Sequence, residues 1–226
     1  MTSRTAMPTG RAVAVALAAA LTLASCSQGV GGTTDEPTAS TSPSPTSTVS
    51  VPPAVSLTEP ATDLSFGEPA SVIFEPTQQR GTVLELTVEK AAEGKTKDFS
   101  GFVLDEYTRS ATPYYVDVTV ENIGAGEVGG VPIPLWGVDA ENTLLPAASF
   151  TTSFRPCASE PLPKKFEPGD SMRTCLVYLA PDGGTLEGVS FRPDQEVAPI
   201  QWTGEIAAPK PEPKKAKKNK KKNRER

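Results

Sequence analysis

The sequence predicts an all-β protein, an antiparallel sandwich carried between two flanking segments that cannot build a core. Three observations predict it. Apolar and polar residues alternate with period two in the two longest patterned stretches, Thr82–Glu89 and Tyr114–Glu121. Turn residues recur between short apolar runs, as in Asn122-Ile-Gly124, Glu167-Pro-Gly-Asp170 and Pro181-Asp-Gly-Gly184. The flanks differ in composition from the middle, one being rich in Ser, Thr and Pro and the other in Lys.

The chain of 226 residues opens with a targeting signal over residues 1–25. Arg4 and Arg11 precede an unbroken run of Ala, Val and Leu from Ala12 to Ala20, continued to Leu23. That run is too short to cross about 30 Å of hydrocarbon at 1.5 Å per helical residue, and it fits the apolar centre of a signal peptide. It ends in Leu23-Ala24-Ser25-Cys26, which resembles the lipobox of bacterial lipoproteins. The resemblance implies a diacylglycerol on the Cys26 thiol and cleavage just before it. Two acyl chains, at about 0.8 kcal/mol per buried CH₂, hold a protein stably where one does not. The alternatives are an ordinary signal peptide with an incidental cysteine and an uncleaved anchor. Cys26 on lipid places the rest of the chain on the outer face of the cell membrane.

Residues 26–61 read as a disordered linker. The stretch Thr38-Ala-Ser-Thr-Ser-Pro-Ser-Pro-Thr-Ser-Thr-Val49 contains almost nothing apolar to bury, so it cannot offset its chain entropy. At about 3.1 Å per residue for a Pro-rich spacer, its limiting reach is on the order of 100 Å. It serves either as a spacer into the cell wall or as a tether of no fixed length.

Residues 62–205 hold the predicted sandwich, enough chain for one core. Leu84, Leu86 and Val88 share one strand face, with Glu85, Thr87 and Glu89 opposite. Val116, Val118 and Val120 share another, against Asp117, Thr119 and Glu121. Arg173–Leu179 is apolar enough to suggest a central strand. Weaker candidates are Ala70–Phe74, Val131–Val138, Thr143–Phe150, Leu186–Phe191 and Pro199–Trp202, for a total of about seven or eight strands. A helix is conceivable only near Val88–Gly94, and none of length is expected.

Two further cysteines, Cys157 and Cys175, remain after Cys26. In an oxidising compartment such a pair most often forms a disulfide, worth about 3 kcal/mol for a loop of this length. The alternative is a metal pair or a reactive thiol, for which nearby His or Cys ligands are wanting, since the chain contains no histidine.

Residues 206–226 read as a disordered Lys-rich tail. After Ala208 it holds 10 of the 22 basic and 2 of the 27 acidic residues, a net of +8. With the tail and the two signal arginines set aside, 10 basic and 25 acidic residues leave a net of −15. A basic arm thus follows an acidic body. The arm suits anionic headgroups or wall polymers, at about 1 kcal/mol per basic residue near an anionic surface. Otherwise it is solvated, or it folds back on the acidic body. Nucleic acid is not an expected partner, because no aromatics interleave the lysines and the chain is exported.

The run Thr112-Pro-Tyr-Tyr-Val-Asp-Val-Thr-Val-Glu-Asn-Ile-Gly124 is similar to the strand-and-turn signature of an immunoglobulin-like domain in exported lipoproteins of high-GC Gram-positive bacteria. So are Phe166-Glu-Pro-Gly-Asp170, Thr174-Cys-Leu-Val-Tyr-Leu-Ala-Pro-Asp-Gly-Gly184 and Val189-Ser-Phe-Arg-Pro193. The resemblance covers most of residues 80–204. It implies an immunoglobulin-like β-sandwich, related in fold to small secreted mycobacterial antigens, with a Cys157–Cys175 bridge. It implies no catalytic residues.

The sequence shows little that points to catalytic chemistry. Without histidine there is no Ser-His-Asp or Cys-His constellation. Gly124-Ala-Gly126 and Gly129-Gly130 lack the Lys-Ser/Thr and helix of a phosphate loop, and read as turn glycines. Asp105-Glu106 point to opposite faces of a strand. Asp139 and Glu141 are the better carboxylate couple, although both read as solvated loop residues. No calcium ladder, metal site or cofactor is expected. Trp136 and Trp202 read as core, whereas Tyr115, on the polar face of its strand, is the first candidate for an exposed contact. The expected function is therefore a non-enzymatic, surface-displayed binding module for an envelope protein or polymer. The alternative is a small-molecule or ion-binding accessory lipoprotein, with a hydrolase behind both.

Overall fold

A computed structural model of the chain describes residues 49–209. Cys26, the signal peptide, the linker up to residue 48 and the tail beyond Pro209 lie outside the described residues. Within them the chain is an all-β sandwich of ten strands. One sheet has the order β1 (Asp63–Ser65), β9 (Ile200–Thr203), β8 (Leu186–Phe191), β5 (Trp136–Asp139) and β6 (Leu144–Leu145). The other runs β10 (Ile206–Ala207), β3 (Arg80–Glu93), β4 (Thr112–Asn122) and β7 (Ser171–Ala180), and β2 (Pro69–Thr77) also pairs with β3. Neighbours are antiparallel except β1 with β9 and β10 with β3, the pairs nearest the two ends of the described chain.

Period-two alternation builds the core directly. Leu84, Leu86 and Val88 of β3 and Val116, Val118 and Val120 of β4 point inward and are almost wholly buried. Val189, Phe191, Ile200 and Trp202 from the other sheet complete the same cluster. Buried polar tips need partners there. The Trp202 indole N–H donates to the Glu68 carbonyl at 2.8 Å, and the Tyr178 hydroxyl donates to the Leu135 carbonyl at 3.1 Å.

The Asn122-Ile-Gly124 turn is also a buried junction. Asn122 Nδ2 donates to the carbonyls of Gly126 and Phe166 at 2.8 and 3.0 Å, while its Oδ1 accepts from the Thr82 hydroxyl at 2.7 Å. Gly126 is required by close approach, since a Cβ there would sit 1.9 Å from the Gly81 carbonyl oxygen.

Several sequence expectations change. The segment Val131–Val138 yields only the four-residue β5, because Pro132 and Pro134 have no N–H for a ladder. Thr143–Phe150 shrinks to the two residues of β6, stopped at Pro146. Over Val88–Gly94 no helix forms, in keeping with the expectation of none of length, and a single 3₁₀ turn follows at Thr96–Phe99. Instead β3 accommodates Glu89 through a register shift between Val88 and Lys90 and continues as strand. The short helix α1 lies at Glu106–Ser110, where the Asp105 carboxylate accepts from the Thr108 N–H at 2.8 Å as an N-cap.

The apolar run in β7 is not central but lies at the sheet edge. The fold also reaches beyond 62–205 on both sides. Thr58, expected in the linker, donates its N–H to the Ser71 carbonyl at 2.9 Å and accepts from the Ser71 N–H at 3.0 Å, and β10 begins at Ile206.

Candidate functional site

The described surface offers two distinctive regions, one sealed and one open. The sealed region lies on the outer face of the second sheet. Phe99, Phe154, Cys157 and Val177 form a second buried cluster there, joined by Phe102, Phe150, Tyr115 and Leu179. The rings of Phe99 and Phe150 stack on Phe154 at 4.6 and 4.7 Å.

Cys157 and Cys175 form a disulfide within this cluster, with Cα atoms 5.1 Å apart. It tethers the loop from Pro146 to Asp170 against β7. That loop covers the outer edge of β7: the Ser159 N–H donates to the Cys175 carbonyl and the Ala148 N–H to the Val177 carbonyl, both at 2.7 Å. The Tyr107 hydroxyl reaches the next outward carbonyl, that of Leu179, at 3.2 Å. Ser159 Oγ donates to the Ala148 carbonyl and accepts from the Val177 N–H. With loops over both its outer face and its free edge, β7 carries apolar residues on both sides although a strand flanks it on one side only.

Tyr115 is therefore not the exposed contact its strand face suggested. It faces outward as expected, but the loops cover it: its ring packs edge-on to Phe154 and its hydroxyl donates to Asp98 Oδ2 at 3.0 Å. Burial, reinforced by that carboxylate partner, holds its phenol above the ordinary tyrosine range.

The candidate carboxylates also have structural partners. Asp139 is buried, not solvated, and accepts the N–H groups of Thr143 at 2.7 Å and Glu141 at 3.1 Å, closing the turn to β6. Asp105 caps α1, and the Thr108 N–H holds its carboxyl below the usual range. The Gly129 N–H does the same for Glu127, with Arg80 adding to the effect. Among the described residues no three His, Cys, Asp or Glu side chains are grouped to hold a metal ion.

The open region is an apolar groove of about 960 Å³ at one end of the sandwich. One wall is the end of β2, from Ile73 to Pro76. Pro132, Pro134 and Trp136 also line it, together with Pro146 and Pro193. Trp202 is core as expected, but Trp136 retains 37% of its surface in contact with solvent. A shallower recess of about 300 Å³ adjoins the groove, sharing Ile73, Phe191, Pro193 and Val197 and adding the exposed Leu57.

The groove is preformed. Arg192 donates to the carbonyls of Asp194 and Gln195 at 3.3 and 3.0 Å, and Asp194 Oδ1 accepts from the N–H groups of Glu196 and Val197 at 2.8 and 2.9 Å. The 192–197 wall is thereby fixed by its own bonds. Ser71 directs its backbone groups outward to Thr58, so Ile73, two residues on, presents its N–H and carbonyl at the same edge. No described residue bonds to Ile73 on that side.

No sequence motif announced this site, because its prolines come from β2 and three separate loops. Such an arrangement can hold an extended or ring-shaped apolar surface by packing, with a few backbone bonds for direction. No family model, curated protein or solved structure matches this chain, so its function is read from the groove itself.

Proposed function

We propose that the chain is an exported immunoglobulin-like lipoprotein, held on the outer face of the bacterial cell membrane by lipid on Cys26. Its sandwich acts as a non-enzymatic binding module for an envelope protein or polymer. One observation carries the binding reading: an open, proline-lined apolar groove leaves Trp136 in contact with solvent, whereas the other tryptophan, Trp202, is fully buried. The space between the sheets is filled by core side chains, which leaves less support for a small ligand held there. The Lys-rich tail adds affinity for anionic lipid or wall polymer.

Cross-linking the intact protein on living cells tests this, alongside Trp136→Ala and a version truncated before Pro209. Trp136→Ala is expected to lower capture of the specific partner at least tenfold. Loss on truncation alone assigns binding to the tail, and no specific capture by any form overturns the reading. Cys26→Ala tests the address, and firm membrane retention of that variant would remove the lipid anchor.

A further inference from the structure

We propose that Trp136 and the outer face of the first sheet bind a neutral, flat polysaccharide, one whose sugar rings are joined through equatorial bonds. This rests on Trp136 being a binding residue of the module, and it gives the envelope polymer a chemical class.

Strand register sets one row of side chains across that face. Trp136 of β5 lies opposite Ser190 of β8, Ser190 opposite Gln201 of β9, and Gln201 opposite Asp63 of β1. Directly opposed residues share a face. It is the outer one, because the intervening Leu64, Val189 and Trp202 pack in or against the core, and a Cβ on Gly137 would meet Leu186 and Tyr178. At about 4.8 Å between strands, the row from Trp136 to Asp63 covers about 14 Å, more than a single sugar ring.

The outer faces of the two sheets differ. Loops and phenylalanine rings roof the second. The first leaves Trp136, Asp63, Ser65 and Thr203 exposed. Gly188 keeps its floor low: an added Cβ there would lie 3.2 Å from Thr203 Cγ2 and 3.3 Å from Gln201 Nε2.

The polar tips of the row are unused. The Ser190 hydroxyl is 1% exposed, yet it has no hydrogen-bond partner among the described residues. Buried polar groups are nearly always bonded, so a ligand hydroxyl that completes this one accounts for it. Ser190 is flanked by Trp136 and Gln201, and turning the Gln201 side chain aside opens it. Among the described residues the Gln201 amide and the Asp63 carboxylate have no side-chain partner either. A hydroxyl, a primary amide and a carboxylate thus follow an indole in series.

That series suits a sugar chain. An equatorially substituted pyranose has apolar C–H faces, which pack on an indole, and a rim of hydroxyls. Ser190 and Gln201 can both donate to and accept from that rim, and Asp63 accepts. Charge selects among polymers. The row contains no Lys or Arg, and Arg192, two residues past Ser190, is turned to the carbonyls of Asp194 and Gln195. A phosphate-bearing polymer would therefore meet a carboxylate on an acidic body, not a cation. An extended peptide is served less well. On the β2 edge Ser71 is already bonded to Thr58, so an added strand has only the short stretch from Ile73 to Thr77.

Titration calorimetry of the intact protein with cellotetraose and chitotetraose tests this. Trp136 emission gives a second readout, because the only other tryptophan, Trp202, is fully buried and serves as the fold control. At least one tetrasaccharide is expected to bind and to shift the Trp136 emission. Trp136→Ala should weaken binding about tenfold or more, with Trp202 emission unchanged. Gln201→Ala and Asp63→Asn should each weaken it roughly fivefold, the loss of one hydrogen bond. Polyglycerol phosphate should bind about tenfold more weakly than the neutral sugar. Binding of neither tetrasaccharide overturns the proposal, as does binding that Gln201→Ala and Asp63→Asn leave unchanged, or tighter binding of polyglycerol phosphate. Trp136-dependent capture of a protein on cells, with no sugar bound, keeps the binding module and excludes the glycan. Capture that survives Trp136→Ala removes the module's site itself.

Discussion

The inter-sheet core and the aromatic cluster outside the second sheet are both buried, but they are made from different material. The core is drawn mainly from strands, mostly Val and Leu at alternating positions between two hydrogen-bonded sheets, with Val128, Ile133, Leu135, Leu162 and Phe166 added from loops. The outer cluster is drawn mostly from two loops, with four phenylalanines, one tyrosine and a disulfide, and only β4 and β7 beneath it. A loop carries no ladder to fix it, so the outer cluster depends on ring contacts and a covalent tie. The core is structure the fold cannot exist without, whereas the outer cluster is a cover fastened to a finished sheet.

The largest effect that would break this contrast is expected at Trp202. Trp202→Ala should cost about 3–5 kcal/mol by denaturant unfolding, and it should take the aromatic cluster down with the core. An outer cluster that kept its near-ultraviolet signal while the core unfolded would show two independent units. Next comes the disulfide. Cys157→Ser with Cys175→Ser should cost about 3 kcal/mol, with Trp202 remaining native in dilute denaturant. Amide exchange should speed up at Ala148 and Ser159, the residues that cover β7. Unchanged protection at those two amides would mean the loops hold without the tie.

Tyr115→Phe should cost about 1 kcal/mol, by removing the bond to Asp98. It also sharpens the pH dependence. The Tyr115 phenol is raised in the folded state, so the stability it contributes is present below the unfolded value of about 10 and is lost as pH rises beyond it. Thermal unfolding should therefore fall off less steeply above about pH 10 in the variant than in the wild type. Identical alkaline slopes would show that Tyr115 is not sealed by the loops. The smallest stability effect is expected in the open groove. Trp136→Ala should lie within about 0.5 kcal/mol of wild type, since the residue borders solvent.

How much of this was legible in the sequence follows the same division. Alternation assigned the faces of β3 and β4 correctly, because side-chain direction in a strand is set by parity alone. Parity does not say whether a face will be covered. Tyr115 was therefore read as outward and exposed, when it is outward and sealed. The double-sided apolar run of β7 was read as central for the same reason, since a cover of loops leaves the same mark as flanking strands. Phe99, Phe102, Phe150 and Phe154 belong to segments without period, so nothing local announces that they converge. The helix at Glu106–Ser110 does carry a local signal, Asp105 at its N-cap, but one capping residue does not distinguish a short helix from a turn. The groove was illegible, since Pro132, Pro146 and Pro193 are neighbours only after the sandwich closes.

The cover over β7 has a consequence for making this protein. Three successive carbonyls of that edge, on Cys175, Val177 and Leu179, are occupied by groups from loops, and two of those groups belong to the loop the disulfide ties down. Produced where thiols stay reduced, the sandwich would close before its last edge was reliably covered. An uncovered edge is a template for another chain. Yield in such a host is then set less by whether the protein folds than by how crowded it is while it waits for oxidation. Soluble oligomers of β-rich, otherwise native subunits are the expected by-product, and late oxidation would trap them instead of rescuing them.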